Sequence, residues 1–447
     1  MVHRRLWTSK SMPQLLIKGS DPHLSWFRSI HYSVDKDMSK LKSICQTSLA
    51  AFVSLLVLSA LSGCGYTEPA YSLNSVYVLL QEKSGIGDLD RSQQENIADV
   101  LGAAFGTPDD PQLPDVAGIG DFIDIDKLYV AAGKVGRDAN GAKRGLYREH
   151  CVHCHGINGD GVGPTAAFLN PYPRDYRRGI FKFKSTLGPS VPPTHEDLHR
   201  ILYDGVAGTA MPSFKVLDEG EIDALVHYVK YLSLRGQVER ALIGLSADEL
   251  EPADPETGAK AQLLVDVSDP AQAQAGVAAT KNAVESVVTS WMSAQPVPVP
   301  SPPSNFGTKE SMAEGRRLFF TTLTNCSKCH GETALGDGQL TDYDEWTKEW
   351  VGDGKNLENI EEYEAAGALP PRNIRPRNLR AGIFRGGRRP IDLYWRVKNG
   401  IAGTPMPAAS GQLSDDDLWH VVDYVRSLQY DKLSQPGHVP DFQRERN

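Results

Sequence analysis

Cysteine is scarce in this 447-residue chain and unevenly placed. Of its six cysteines, Cys45 and Cys64 lie in or beside an apolar N-terminal stretch, and the other four form two C-x-x-C-H clusters. No pair is left to staple the body with a disulfide, so compartment has to be argued from the leader. Positive charge is also in short supply. The formal net charge is -9, and residues 1–63 hold eight Lys or Arg against three Asp, a local +5, so the rest of the chain carries -14. A body that acidic repels nucleic acid and favours basic partner surfaces, most strongly at low salt. Long apolar runs are missing apart from one short stretch near the N-terminus. No acid/base pair or nucleophile constellation of the kind catalysis leaves is present.

That one stretch, Leu49 to Leu61, follows Lys40 and Lys42 and has the charged-then-apolar layout of an export signal. It ends in Leu61-Ser62-Gly63-Cys64, which resembles the lipobox of bacterial lipoproteins. The resemblance implies cleavage before Cys64 and acylation there, a lipid anchor on an exported protein. Residues 1–37 are an unusually long polar prelude, and a start at Met38 gives a leader of ordinary length. The alternative is an uncleaved transmembrane helix over about residues 43–65.

The body is built on a repeat. Cys151-Val152-His153-Cys154-His155-Gly156 returns as Cys326-Ser327-Lys328-Cys329-His330-Gly331, Arg178-Gly179-Ile180-Phe181-Lys182 as Ala381-Gly382-Ile383-Phe384-Arg385, and Gly208-Thr209-Ala210-Met211-Pro212 as Gly403-Thr404-Pro405-Met406-Pro407. After each Met block, apolar residues at the same helical steps (Ile222, Leu225, Val226, Val229, Leu232; Leu418, Val421, Val422, Val425, Leu428) predict a helix with one buried face. The expected class is therefore mainly α, with two helical domains at 136–236 and 311–430. Residues 237–310 read as a helical and Pro-rich linker ending in the stiff run Pro296–Pro303. Residues 64–135 read as a tether with a helix over Ile97–Phe105 and no assigned chemistry. An insert over 340–370, nine acids between Asp342 and Glu364 against Lys348 and Lys355, reads as a surface excursion, and 431–447 as a tail.

The chemistry sits in the clusters. C-x-x-C places two thiols within about one turn of backbone, where they can add across two haem vinyl groups, and the adjacent His points at the iron; C-x-x-C-H is specific for c-type attachment. A redox dithiol has no need of the His, and a zinc site needs further ligands. The order C-x-x-C-H, Gly-bearing loop, Met-Pro and final amphipathic helix resembles class I cytochrome c, over roughly 140–235 and 312–430. The resemblance implies two covalently bound haem c groups held through Cys151 and Cys154 and through Cys326 and Cys329. It also implies axial ligation by His155 with Met211 and by His330 with Met406. Arginines are dense before each Met loop, Arg174, Arg177 and Arg178 in the first repeat and Arg372, Arg375, Arg377, Arg380, Arg385, Arg388 and Arg389 in the second. One or two of them, Arg178 and Arg380 foremost, stand where a guanidinium can meet a haem propionate, and the alternative is a solvated basic face offsetting the acidic insert. His150, His153, His195 and His199 lie near enough in sequence to rival Met211 as a ligand, whereas His227 and His420 fall outside the apolar registers of their helices and are expected to be exposed.

With both irons capped, the expectation is outer-sphere electron transfer and no catalysis, in a respiratory chain, at the periplasmic face of the membrane. Met ligation raises the potential, which suits partners such as a terminal oxidase or a quinol-oxidising complex. The alternatives are a di-haem cytochrome c peroxidase, which needs one iron that can open, and a sensor or scaffold that uses haem structurally.

Overall fold

The computed structural model describes residues 67–343, 345–352 and 357–432. The leader, Cys64 and the tail beyond 432 lie outside the described residues, as do the expectations attached to them. Among the described residues no helix is long and apolar enough to cross a membrane.

The chain runs through α1 Ser75–Lys83, α2 Arg91–Phe105, α3 Ile119–Phe122 and α4 Ile125–Ala131, then a two-stranded ribbon of β1 Gly136–Arg137 and β2 Lys143–Arg144. The first repeat supplies α5 Leu146–His150, α6 Val152–His155, α7 His195–Asp204 and α8 Glu219–Glu249, followed by α9 Pro270–Met292. The second supplies α10 Lys309–Phe319, α11 Cys326–His330, α12 Glu345–Val351, α13 Ile360–Ala365, α14 Pro390–Asn399 and α15 Asp415–Ser427.

Local chemistry fixes these boundaries. Asp218 and Ser414 open α8 and α15 with capping boxes, each side chain accepting from the third helical N–H while Glu221 or Asp417 reaches back. The acids of both first turns also suit the positive end of the helix dipole. The helices α7 and α14 both stop at a glycine, Gly205 and Gly400, each at φ +69°, a conformation that few other residues adopt without strain. The predicted buried faces are present: Ile222, Leu225, Val226, Val229 and Leu232 are buried in one core, and Leu418, Val421, Val422, Val425 and Leu428 in another. Each such side chain contributes roughly 1.5–3 kcal/mol relative to exposure.

Three expectations about organisation need correction. The helix that closes the first repeat does not end near 236. It continues as 31 unbroken residues to Glu249, because Val238, Leu242 and Ile243 extend its apolar register and no proline intervenes before Pro252. Helices α1 to α4 and α9 pack around it, so Ile97, Leu101, Phe105, Leu128 and Trp291 share one core with Leu225 and Leu232. The shared core and the helix therefore run across positions 135 and 236.

The proline run is extended, as expected, but it is no free spacer. The Val297 N–H donates to the Ser185 carbonyl at 2.9 Å, and the indole N–H groups of Trp395 and Trp419 donate to the Val297 and Pro300 carbonyls at 3.4 and 3.1 Å. The strap thus bonds to both repeats.

The acidic insert is not a free excursion either. Trp350, Val351 and Tyr363 form a small core with Val76, Leu79 and Leu80 of α1. Glu349 takes Arg240 of α8 at 2.6 Å, and Lys83 takes Glu362 at 2.6 Å. Two of its acids, Glu349 and Glu362, thereby clamp the second repeat to the layer around the first.

The repeats also meet directly. Arg372 donates to the Leu169 and Ala167 carbonyls, both at 2.7 Å, and its guanidinium lies 4.2 Å over Tyr172. The Tyr172 hydroxyl donates to the Pro370 carbonyl at 3.0 Å, and Arg200 pairs with Asp392 at 3.3 Å.

Candidate haem site

Each C-x-x-C-H lies on one short helical turn, α6 or α11, ending at a left-handed glycine, Gly156 or Gly331. A β-carbon on Gly156 would fall 2.2 Å from Asp160 Oδ1, and on Gly331 2.0 Å from Asp337 Oδ1, so only glycine lets the loop fold back this tightly. Four thiols line a common space and none is in a disulfide. Burial pushes the Cys151 thiol up to about 12 and raises Cys326 as well. A redox dithiol needs a lowered pKa, so this environment argues against thiol exchange.

The histidines of the two motifs are set identically. His155 Nδ1 meets the Arg174 carbonyl at 3.0 Å and His330 Nδ1 meets the Arg377 carbonyl at 3.1 Å. A carbonyl only accepts, so Nδ1 carries the proton and Nε2 keeps its lone pair for a metal. Burial holds His155 down at about 4 and lowers His330, which keeps both rings neutral. His155 also stacks on Tyr176, with ring centres 4.8 Å apart.

The methionine loops match bond for bond. In the first, Thr209 Oγ1 donates to the Val206 carbonyl at 2.8 Å and accepts from the Met211 N–H at 3.1 Å, while the Val206 N–H donates to the Met211 carbonyl at 3.1 Å. In the second, Thr404 Oγ1 donates to the Ile401 carbonyl at 2.8 Å and accepts from the Met406 N–H at 3.2 Å, and Ile401 N–H donates to the Met406 carbonyl at 3.1 Å. This explains why Gly-Thr-x-Met-Pro recurs: the threonine hydroxyl knots the loop that carries the thioether.

All of these groups open on one continuous cavity of about 580 Å³ lined by both repeats, including Cys151, Cys154, His155, Met211, Cys326, Cys329, His330 and Met406. Its walls are apolar, with Phe181, Val229 and Leu202 on one side and Phe384, Leu393 and Val422 on the other. Charge on the lining is of one sign. Arg174, Lys182, Arg375, Arg377, Arg385 and Arg396 line it, and among the described residues no carboxylate does. Arg377 Nε and Arg385 Nε are buried without a hydrogen-bond partner. Apolar walls with a cationic, partly unsatisfied rim fit flat macrocycles bearing carboxylates.

The cytochrome c family model matches residues 139–233 and 312–429. Both repeats are cytochrome c domains. Their cofactor is covalently attached haem c, one in each. No curated protein matches the chain. Among solved structures, it is similar to a chain of the reducing HAO-like protein complex of Kuenenia stuttgartiensis, with 24% identity over 63% of this chain and 93% of that one and a TM-score of 0.42. A superposition that loose carries no inference.

In the two cytochrome c domains Arg178 and Arg380, the arginines foremost in the sequence, stand off the cavity lining. Arg178 turns to Glu349 at 3.7 Å; Arg380 donates to the Thr333 carbonyl and lies 3.6 Å from Asp431; neither lines the cavity. Among the lining arginines, Arg174 and Arg377 hold matching places, each following a proline and each three residues before another arginine, Arg177 or Arg380. That Pro-Arg-x-x-Arg match, Pro173 to Arg177 and Pro376 to Arg380, was the available signal.

Of the histidines that could rival Met211, only His150 lines the cavity. His199 pairs with Glu219 at 2.9 Å and His195 with Asp223 at 2.9 Å. The expected exposure of His227 and His420 is also corrected. His227 Nδ1 accepts the Asp124 N–H at 3.1 Å, and His420 Nδ1 meets Ser311 Oγ at 2.9 Å, because neighbouring helices, not the helix's own register, cover these positions. His195, Asp223 and His227 bring three donor atoms within 4.8 Å of one another. The Asp124 hydrogen bond places the His227 proton on Nε2, and Lys127 takes the second Asp223 oxygen, so this cluster is satisfied as hydrogen bonds and ion pairs.

Proposed function

We propose that the protein is a two-haem electron carrier in which His155 with Met211 and His330 with Met406 cap both irons, and that it performs outer-sphere electron transfer without catalysis. When bound, haem supplies the one-electron couple. The chain's own residues then fix the histidine tautomer through Arg174 and Arg377, hold the thioethers through Thr209 and Thr404, and exclude water with apolar walls. The observation that carries this reading is the atom-for-atom likeness of the two methionine loops, both opening on the cavity that holds both C-x-x-C-H motifs. An enzyme that must open one iron has reason to break that likeness in one domain.

Met ligation favours the reduced state, which suits delivery to a high-potential acceptor such as a terminal oxidase, with a quinol-oxidising complex as donor. We place the protein in a respiratory chain outside the cytoplasmic membrane, tethered by lipid at Cys64. Absorption spectroscopy of the holoprotein tests the site. Both oxidised haems should show the weak far-red band of methionine ligation, and carbon monoxide should bind neither reduced haem readily. One high-spin haem, or ready carbon monoxide binding in the intact protein, sinks the reading. Intact-mass analysis tests the anchor: an unmodified N-terminus upstream of Cys64 excludes it.

A further inference from the structure

The repeats are related in a way that the haem motifs alone do not show. Arg174 and Arg377 occupy matching places, and each uses two parts of itself. Its carbonyl holds the axial histidine of its own domain. Its side chain lies against the other domain. A β-carbon on Gly208, in the first methionine loop, would sit 2.9 Å from Arg377 Nη2 and 3.1 Å from Ile383 Cγ2. A β-carbon on Gly403, in the second methionine loop, would sit 3.2 Å from Arg174 Nη1 and 3.3 Å from Ile180 Cγ2. Each methionine loop therefore rests, at its glycine, on an arginine and an isoleucine of the opposite domain. The contacts are reciprocal, and both guanidinium-bearing residues line the shared cavity.

We propose that Arg174 and Arg377 are reciprocal positioning residues that couple the two haem centres, each arginine placing its positive charge where both irons feel it. The proposal rests on the reading that both domains hold haem between His and Met.

The physical argument is electrostatic. Losing one electron leaves an iron one unit more positive, so a fixed cation nearby favours the reduced form and raises the potential. The charge at Arg377 is attached beside His330 and pressed against the loop of Met211, among apolar walls with no protein carboxylate on the lining among the described residues. It is therefore offset only by the carboxylates the macrocycles themselves bring, and removing it leaves that negative charge uncompensated. Arg174 has the mirror placement. An arginine that served its own haem alone would have no need to cross to the other loop.

The test is spectroelectrochemical titration of the holoprotein. The two midpoints are assigned by the loss of one or other far-red band in Met211→Ala and Met406→Ala. Arg377→Gln should lower both midpoints, Arg377→Lys should restore much of the shift, and Arg174→Gln should also lower both. The backbone carbonyl is kept in every variant, so the histidine hydrogen bonds survive. A shift confined to the variant's own domain, or no shift in either variant, overturns the proposal. If one glutamine variant fails to fold, the other carries the same prediction. Failure of the underlying reading is distinguishable, because the wild-type protein would then lack one or both methionine bands before any arginine is changed.

Discussion

Gly208 and Gly403 both stand at φ +71°, where an alanine is strained whatever space is available. Gly208 has the tighter contact across the domain boundary, so Gly208→Ala should cost more stability than Gly403→Ala, each by about 1 kcal/mol or more. Denaturant unfolding of the holoproteins measures this, and equal or negligible losses would contradict the packing described. The thioethers make a separate prediction. Met211→Ala or Met406→Ala should lower that haem's potential and open its iron to carbon monoxide while the other haem keeps its far-red band. His227 supplies a pH dependence. Burial, with the nearby positive charge of Lys230 and the His195 ring, holds it down at about 4 against the opposing pull of Asp223 and Asp124, from an ordinary 6.5. The unfolded chain thus takes up a proton between those values that the folded chain refuses, and stability must fall as pH drops through that window. His227→Gln, whose amide oxygen can still accept the Asp124 N–H, should flatten the slope in thermal melts taken from pH 7 to pH 4.

Among the elements, the insert invites the most direct experiment. Trp350 is buried against α1, so Trp350→Ala should cost about 3 kcal/mol, the usual loss for a buried aromatic. It should also make α1 the first segment cut in limited proteolysis; unchanged cleavage would show that the insert holds nothing. Legibility differed by kind of signal. The attachment motifs, the methionine loops and the buried faces of α8 and α15 were plain in the sequence because each is a short local pattern dictated by geometry. Continuation of α8 past 236 was obscured because Gly236 and a mixed polar and apolar stretch look like a terminus unless the register of Val238, Leu242 and Ile243 is followed. The insert was misread because nine acids suggest solvent, whereas two of them, Glu349 and Glu362, find Arg240 and Lys83 far away in sequence. The cavity arginines lie within the dense arginine clusters that the sequence shows before each methionine loop, but which member of a cluster points inward depends on backbone direction that no composition records.

For the molecule as a whole, the acidic body beyond residue 63 should steer basic partners. Electron exchange with a small basic redox protein should slow several-fold as ionic strength rises from about 10 to 150 mM, the range over which the Debye length falls from about 30 to 8 Å. Stopped-flow rates that ignore salt would remove charge from the account of partner choice. The two domains should also unfold together in the holoprotein, since the proline strap, the insert and the arginine contacts all cross between them. The unbroken course of α8 carries the last consequence. One face of that rod walls the first haem site while the rest of its surface, along its whole length, is the spine for α1 to α4 and α9. The N-terminal lobe is therefore not portable: excised at 136 and 236, it would shed part of its spine and lay bare the greasy side of what remained.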